Sequence, residues 1–400
     1  MTSERIGDSQ PTDAVEWIAD RLIQSSIEYA DERIGWVAVD GGNSTGVTLH
    51  ATRSIYRGQL GIALFFGAHH AVLGDDRSAR IAKRAARPWL ACNLEELTHE
   101  YTGIGTGIGS LVYALTTLHR FLKDRAFADR TVALLEHIDE NMIVGDTNHD
   151  VVYGNAGLLL ALLAAAEIDP TGVSIERARR VGDHLIDVAD SQKEGISWKT
   201  TADHYAAGFA HGNAGIAYAL LTLAVRENDS AYRLAAERAV TFENNLFDED
   251  HERWRRGPDV VEHRFGTGWC WGNPGIGLAR AASCALLDEQ NATWTRDIWR
   301  ALTSLDLTPR NNDCLCHGTF GDVAILFDVG RRFDESYCNR AHSVLTDAVQ
   351  RWRRKEHFQF PHSGKHASVS PSMFLGLAGI GYTILRVKNP ETVPSILLFE

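Results

Sequence analysis

The sequence predicts an all-α protein, an α/α toroid in which a ring of seven outer helices surrounds a ring of seven inner helices. Two observations predict it: a Gly-x-x-Gly pair that recurs seven times, and an amphipathic segment that precedes each pair. Threonine replaces the first glycine of the second copy. The second glycines recur every 46–60 residues, as Gly61, Gly109, Gly157, Gly215, Gly275, Gly321 and Gly379. Alternating β-branched runs are nearly absent, and only residues 36–50 hint at a hairpin.

The segments that follow the glycine pairs predict the inner helices. After Gly157 the chain reads Leu-Leu-Leu-Ala-Leu-Leu-Ala-Ala-Ala, and a helix that is apolar on every side is buried on every side. Glycines at the start of each such helix let neighbouring backbones approach closely at one end of the ring.

The segments that precede the glycine pairs predict the outer helices. Val15, Ile18 and Leu22 recur at helical spacing, with polar residues between them. This pattern is typical of a helix that buries one stripe and exposes the opposite face to water.

The repeat also predicts the domain organisation. No linker interrupts the period, so residues 1–400 are expected to form a single domain, with residues 1–13 as a flexible N-terminal tail. An open solenoid and a closed ring both fit the period. Closure is favoured because an open solenoid needs polar caps at its ends, whereas the first and last repeats are as apolar as the others.

Composition excludes several classes of partner. The net charge of −12 argues against nucleic acid or an anionic membrane surface as a general partner. The longest apolar run, Leu158–Ala166, is far shorter than the ~20 residues that span a bilayer, so we expect no integral membrane protein. Six cysteines are too sparse for a disulfide framework, and no signal core opens the chain. A reduced, cytoplasmic location is therefore expected.

The residues just before the glycine pairs are unusual, because polar, metal-binding groups stand where a core would need apolar ones. Cys270 and Cys316 hold the same register in adjacent repeats, and His317 follows the second of them. Packed helices lie ~8–10 Å apart, so these three side chains can meet on one ion. Three ligands and an open fourth position predict a catalytic Zn²⁺ site. Cys314 is a rival ligand, but it has no counterpart in the fifth repeat.

Two further polar residues occupy the same mouth of the predicted ring. His211 directly precedes Gly212, and Asp150 lies four residues before Gly154. His211 is either a hydrogen-bonded structural residue or a general acid/base beside the metal. Asp150 is either a cap or turn residue, or a group that orients His211 or a substrate amide.

These stretches resemble a known family. Residues 269–276 and 316–318 resemble the zinc motifs of LanC-type lanthionine cyclases, and residues 209–216 and 150–154 resemble that family's His and Asp motifs. The two ends of the chain are most similar to the cyclase domain of class II LanM lanthipeptide synthetases, in which a dehydratase domain precedes the cyclase.

The resemblance implies a zinc-dependent lanthionine cyclase, a carbon–sulfur bond-forming enzyme of the lyase class. Its substrate is a dehydrated precursor peptide, in which Cys thiolates add to dehydroalanine or dehydrobutyrine to form thioether rings. His211 is the implied acid for the resulting enolate, and Asp150 supports it. A separate dehydratase is an implied partner.

Three alternatives remain open at the level of sequence. A non-catalytic zinc-containing relative would use the same ligands to bind glutathione or peptide thiols. A protein prenyltransferase would also form an α/α ring with zinc, but with six repeats and Asp-Cys-His ligands. Glycoside hydrolysis needs paired carboxylates, and the mouth positions supply Asp150 alone.

Overall fold

The computed structural model describes residues 9–39, 47–49, 52–97, 101–200, 204–261, 265–288, 291–303, 305, 310–360 and 370–400. Within these ranges the chain forms fifteen α-helices and four small two-stranded antiparallel sheets. The architecture is an α/α toroid, so the predicted fold class is confirmed.

The inner ring consists of seven helices, and each begins directly after a glycine. They are α2 (Gln59–Leu73), α4 (Ile108–Leu122), α7 (Asn155–Ala165), α9 (Asn213–Glu227), α11 (Asn273–Leu287), α13 (Thr319–Arg332) and α15 (Leu377–Lys388). Each helix packs against the next, and α15 packs against α2. The ring is therefore closed, as the apolar terminal repeats predict.

The outer ring consists of the amphipathic helices. They are α1 (Ser9–Gln24), α3 (Asp76–Ala91), α5 (Arg125–His137), α8 (Val173–Asp187), α10 (Ser230–Asn244), α12 (Ala292–Thr303) and α14 (Ser336–Lys355). Each packs on the inner helix that precedes it, except α1, which packs on α15. The first helix thus completes the last pair. It begins at Ser9, inside the predicted tail of residues 1–13, and residues 1–8 lie outside the described part.

The remaining elements are short. Helix α6 (Glu140–Val144) and a 3-10 turn (Leu94–Glu96) lie between helix pairs. The strand pairs are β1 (Ile27–Glu28) with β2 (Ile34–Gly35), β3 (Val37–Val39) with β4 (Val47–Leu49), β5 (Asp190–Ser191) with β6 (Ile196–Ser197), and β7 (Phe247–Asp248) with β8 (Arg253–Trp254). The β3–β4 pair lies within the segment whose sequence hints at a hairpin.

The recurring glycine has a steric cause, which Gly157 and Gly379 illustrate. Before each inner helix the chain makes a tight turn, so a carbonyl six residues back lies against the helix start. A Cβ at Gly157 would lie 1.9 Å from the Val151 carbonyl oxygen, and one at Gly379 would lie 1.8 Å from that of Met373. Any larger residue would push the turn away from the helix, so the turn itself requires glycine.

The C-terminal segment fills the interior of the inner ring. The ring of Phe399 contacts Tyr113, Trp269 and Phe374, which come from three different repeats. The Leu397 carbonyl accepts a hydrogen bond from Nε1 of Trp269 at 3.2 Å. The C-terminal residues therefore pack against repeats two, five and seven of the ring. None of the helices described has both the length and the apolar content to cross a membrane.

Candidate metal centre

A closed belt of backbone hydrogen bonds joins the seven loops that precede the inner helices. Each N–H of the belt bonds to a carbonyl oxygen of the next loop, at 2.9–3.3 Å. The bonds run from Tyr56 to Gly105, Gly105 to Val152, Val152 to Ala210, Phe209 to Trp269, Trp269 to Cys316, Cys316 to Phe374 and Phe374 to Tyr56. Side chains that are far apart in the sequence are therefore held around one mouth.

Glycines allow the loops of the belt to touch. A Cβ at Gly268 would lie 2.6 Å from the Cβ of His317 and 2.7 Å from the carbonyl oxygen of Cys316. Gly208 has a φ of +112°, and a Cβ there would lie 2.5 Å from the Cys270 carbonyl oxygen. These contacts bring the loops of repeats four, five and six together at the level of the backbone.

The three predicted metal ligands converge at this mouth. Sγ of Cys270, Sγ of Cys316 and a ring nitrogen of His317 all lie within 4.8 Å of one another. Cys316 is buried, Cys270 is half-buried and His317 is exposed, so the group opens toward solvent on one side. Ligand sulfurs around a tetrahedral zinc ion lie about 3.8 Å apart, given Zn–S bonds of about 2.3 Å. Two sulfurs and one imidazole at this spacing fit such an ion.

The electrostatics of the three groups suit a metal ligand set. The hydrogen bond from the Cys316 thiol lowers the pKa of Cys270 to about 7. The same hydrogen bond, together with burial, raises the pKa of Cys316. Partial desolvation by the surrounding loops, reinforced by the nearby Arg310, lowers the pKa of His317 and so favours the neutral imidazole. A neutral imidazole and a deprotonated cysteine are the forms that bind metal.

Cys314, the rival ligand, is not a member of this group. It is fully buried, and burial raises the pKa of its thiol to about 11. A buried cysteine whose sulfur lies outside the group is typical of core packing.

Tyr56 is a site residue that the sequence reasoning did not single out. Its hydroxyl lies 2.9 Å from Sγ of Cys316, although the two residues are 260 positions apart. A signal for it existed, because Tyr56 stands two residues before the first glycine of its pair, as do Cys270 and Cys316.

His211 and Asp150 form a second group at the same mouth. Nδ1 of His211 lies 3.0 Å from Oδ2 of Asp150, which is fully buried. The other carboxylate oxygen accepts the backbone N–H of Tyr153 at 2.6 Å. The imidazole lies between Trp271 and Tyr153, with ring centroids 4.6 and 5.5 Å away. One hydrogen bond and two stacked faces therefore hold this imidazole in a single orientation.

A buried ion pair supports the loop that carries His211. One carboxylate oxygen of Glu243 accepts the N–H groups of Gly208 and Ala214, at 2.9 and 3.1 Å. The other oxygen pairs with Arg280 at 2.6 Å, and neither side chain of the pair is more than 2% exposed. Glu243 thus holds both ends of the loop, and nothing in the sequence marked it.

Arg310 ties the two loops that carry the metal ligands. One of its Nη atoms donates to the carbonyl oxygens of Thr267 and His317, at 2.5 and 3.1 Å. Its guanidinium also pairs with Asp322 at 2.6 Å. The two hydrogen bonds of Arg310 to these carbonyl oxygens hold the loop before Cys270 against the loop that carries His317.

Known proteins resemble the chain in both sequence and fold. The family model for "Lanthionine synthetase C-like protein" matches residues 51–398. The solved structure of nisin cyclase superposes with a TM-score of 0.62 at 16% identity, over 88% of this chain and 93% of that one. No curated protein sequence matches the chain.

Other solved structures share the toroid fold. An unsaturated glucuronyl hydrolase specific for heparin superposes with a TM-score of 0.52 at 12% identity, over 98% of this chain and 100% of that one. The α-1,6-mannanase GH76A from Salegentibacter sp. HEL1_6 gives 0.52 at 12% identity, over 84% and 99%. At such identities the likeness shows a common fold, and it is not evidence for a common chemistry. The match over residues 51–398 decides the family: the chain belongs to the lanthionine synthetase C-like proteins.

Proposed function

We propose that the chain is a zinc-dependent lanthionine cyclase, a carbon–sulfur bond-forming enzyme of the lyase class. Its substrate would be a precursor peptide that contains cysteine together with dehydroalanine or dehydrobutyrine. The observation that carries this proposal is the convergence of Cys270, Cys316 and His317 within 4.8 Å at an open mouth that also holds His211. The lanthionine synthetase C-like family supports it.

In this proposal Cys270, Cys316 and His317 hold the zinc ion. A bound zinc ion lowers the pKa of a thiol that binds to it, so that thiolate persists at neutral pH. Cys316 is deeply buried and His317 faces solvent, which leaves the exposed side of the group for the peptide cysteine.

The residues of the second group would move the proton. As the peptide sulfur bonds to Cβ of the dehydro residue, the C=C π pair shifts toward Cα and gives an enolate. A proton must then be added at Cα, while the thiol has lost one, so the atoms of the peptide balance. His211 is the acid in this proposal, and Asp150 keeps the imidazole oriented through Nδ1.

The chemistry also implies partners and surroundings. Dehydro residues must be made before cyclisation, so a separate dehydratase would supply the substrate. Reactive thiols persist in a reducing compartment, which favours the cytoplasm. The likeness of the chain's ends to class II cyclase domains makes a class II precursor the first substrate to test.

The test is a thiol count on a dehydrated, cysteine-containing precursor. Cyclisation leaves the mass unchanged, so free thiols are alkylated and then counted by mass spectrometry. Wild-type protein and Cys284→Ala, a change in helix α11 outside the site, should consume thiol at equal rates. Cys316→Ala should leave the thiols free.

One outcome separates this proposal from the alternative of a non-catalytic thiol-binding protein. If zinc-loaded wild-type protein binds the precursor and every thiol remains open to alkylation, the cyclase assignment is wrong. The seven helix pairs already differ from the six repeats of a prenyltransferase ring.

A further inference from the structure

The two cysteines of the candidate metal centre do not have the same surroundings. The hydroxyl of Tyr56 makes its hydrogen bond to Sγ of Cys316, at 2.9 Å. Cys316 is 1% exposed, whereas Cys270 is half-buried at the open side of the group. A difference of this kind between two ligands of one ion changes how much electron density each sulfur donates.

The closure of the ring holds the tyrosine in this position. The N–H of Phe374 donates to the Tyr56 carbonyl oxygen at 3.1 Å, and the N–H of Cys316 donates to the Phe374 carbonyl oxygen at 2.9 Å. The rings of Tyr56 and Phe374 stack at 4.7 Å with an interplanar angle of 11°. Two belt bonds and one stacked face therefore fix the hydroxyl relative to the sulfur.

The direction of the hydrogen bond follows from the chemistry of a ligand. A cysteine that binds metal has lost its proton, so its sulfur can only accept. The phenol O–H must then be the donor. A hydrogen bond to a thiolate sulfur withdraws electron density from it and weakens it as a nucleophile.

We propose that Tyr56 is a positioning residue of the metal centre, whose hydroxyl makes Cys316 a less nucleophilic sulfur than the peptide thiolate bound beside it. This inference rests on the proposed function. It answers a problem of that reaction, which is that a ligand thiolate could itself add to a dehydro residue and inactivate the protein. Tyr56 opposes this at Cys316, while the open position is left for the peptide.

The test uses protein in which cobalt(II) replaces zinc, because the sulfur-to-cobalt charge-transfer band reports the electron density on the ligand sulfurs. Tyr56→Phe removes the hydroxyl and retains the ring that stacks on Phe374. The band should move to longer wavelength, since a sulfur without its hydrogen bond transfers charge more easily. The visible cobalt bands should keep the intensity typical of a tetrahedral site. Tyr382→Phe, which removes a buried hydroxyl bonded to the Pro394 carbonyl, is the control and should leave the band in place.

A second measurement does not depend on the Phe variant. Wild-type protein made with 3-fluorotyrosine has more acidic phenols, so the hydrogen bond strengthens and the band should move to shorter wavelength.

A third measurement compares the reactivity of the two ligand cysteines in the zinc-bound protein. N-acetyldehydroalanine serves as a small acceptor, and the ratio of adducts at Cys316 to adducts at Cys270 should be about ten-fold higher in Tyr56→Phe than in wild type. A general loosening of the site would raise adducts at both cysteines equally.

The outcomes are distinct. A charge-transfer band that stays at the wild-type position in both Tyr56→Phe and the fluorotyrosine protein overturns the role of Tyr56, whether or not the chain cyclises peptides. Failure of wild-type protein to bind cobalt or zinc at all overturns the metal centre, and the proposed function with it. Shifts of opposite sign support the inference even if no peptide substrate has been found.

Discussion

His211 and Asp150 are 61 positions apart in the chain, and their side chains meet with 3.0 Å between Nδ1 and Oδ2. The belt of backbone hydrogen bonds produces this contact, because it places the loop before α9 beside the loop before α7. The carboxylate is fully buried and the His211 side chain is 10% exposed. An oriented imidazole at a solvent-accessible mouth is the arrangement that proton transfer to a bound peptide requires.

Asp150→Asn should slow thioether formation by about 10²-fold or more. The amide oxygen would take the place of Oδ1 and accept the Tyr153 N–H, so the amide NH2 would face Nδ1 of His211 and favour the other imidazole tautomer. The initial rate of thiol loss measures this, and metal content should remain that of wild type. Asp146→Asn is the matched control, because Asp146 is a buried carboxylate of the same loop that accepts the N–H groups of His149 and Asn155. Asp146→Asn should lower the melting temperature and leave the rate of thiol loss per folded molecule unchanged. Equal rate losses in both variants would speak for a purely structural Asp150.

The ligand set predicts which cysteines retain metal. Wild-type protein should bind one zinc ion per chain, and Cys270→Ala and Cys316→Ala should lose it, because each removes one of three protein ligands. Elemental analysis after dialysis against a weak chelator measures this. Cys314→Ala and Cys284→Ala are the controls, and both should retain the ion. Loss of zinc from Cys314→Ala would show that the ligand set has been assigned wrongly.

Glu243→Gln should lower the free energy of unfolding by about 3 kcal/mol, because it leaves the guanidinium of Arg280 buried without its close partner. Urea titration followed by circular dichroism measures the change. Glu249→Gln removes an exposed pair with Arg300 and should cost less than about 1 kcal/mol. Since Glu243 holds the loop of His211, thiol loss should also slow in folded Glu243→Gln. A variant as stable as wild type would argue against the buried pair.

His69 predicts how stability depends on pH. Its side chain is fully buried, close to Ser78, Glu16 and Asp75, and burial lowers its pKa from the usual value. Below a pH of about 6.5 the unfolded chain therefore binds a proton that the folded chain resists. The free energy of unfolding should therefore fall as the pH decreases below about 6.5.

His69→Gln should make that fall less steep, because glutamine does not titrate. Urea titrations at about pH 5 and pH 7.5 compare the two slopes. A wild-type slope in His69→Gln would mean that groups other than His69 cause the loss of stability at acidic pH.

Much of the fold and part of the site could be predicted because the information is local. The turn before each inner helix requires a glycine, as the contact of Gly157 with Val151 illustrates. Each repeat therefore shows its own glycine in the sequence. Uniformly apolar and amphipathic segments then distinguish inner from outer helices. Equal register in adjacent repeats was enough to group Cys270 with Cys316.

The sequence by itself determined the number of helix pairs and the residues that converge as candidate ligands, since both follow from the period and register of the repeats. It also indicated closure of the ring, since the first and last repeats lack polar caps. Only the tertiary structure decided the contacts of Tyr56 with Cys316 and of Glu243 with the loop of His211. The physical reason is that hydrogen bonds and burial depend on atoms brought together across the ring. The register of Tyr56 puts it at the same mouth as Cys316, but register alone does not reveal a hydrogen bond to a residue 260 positions away. Glu243 has no local pattern that points to Gly208, 35 residues before it.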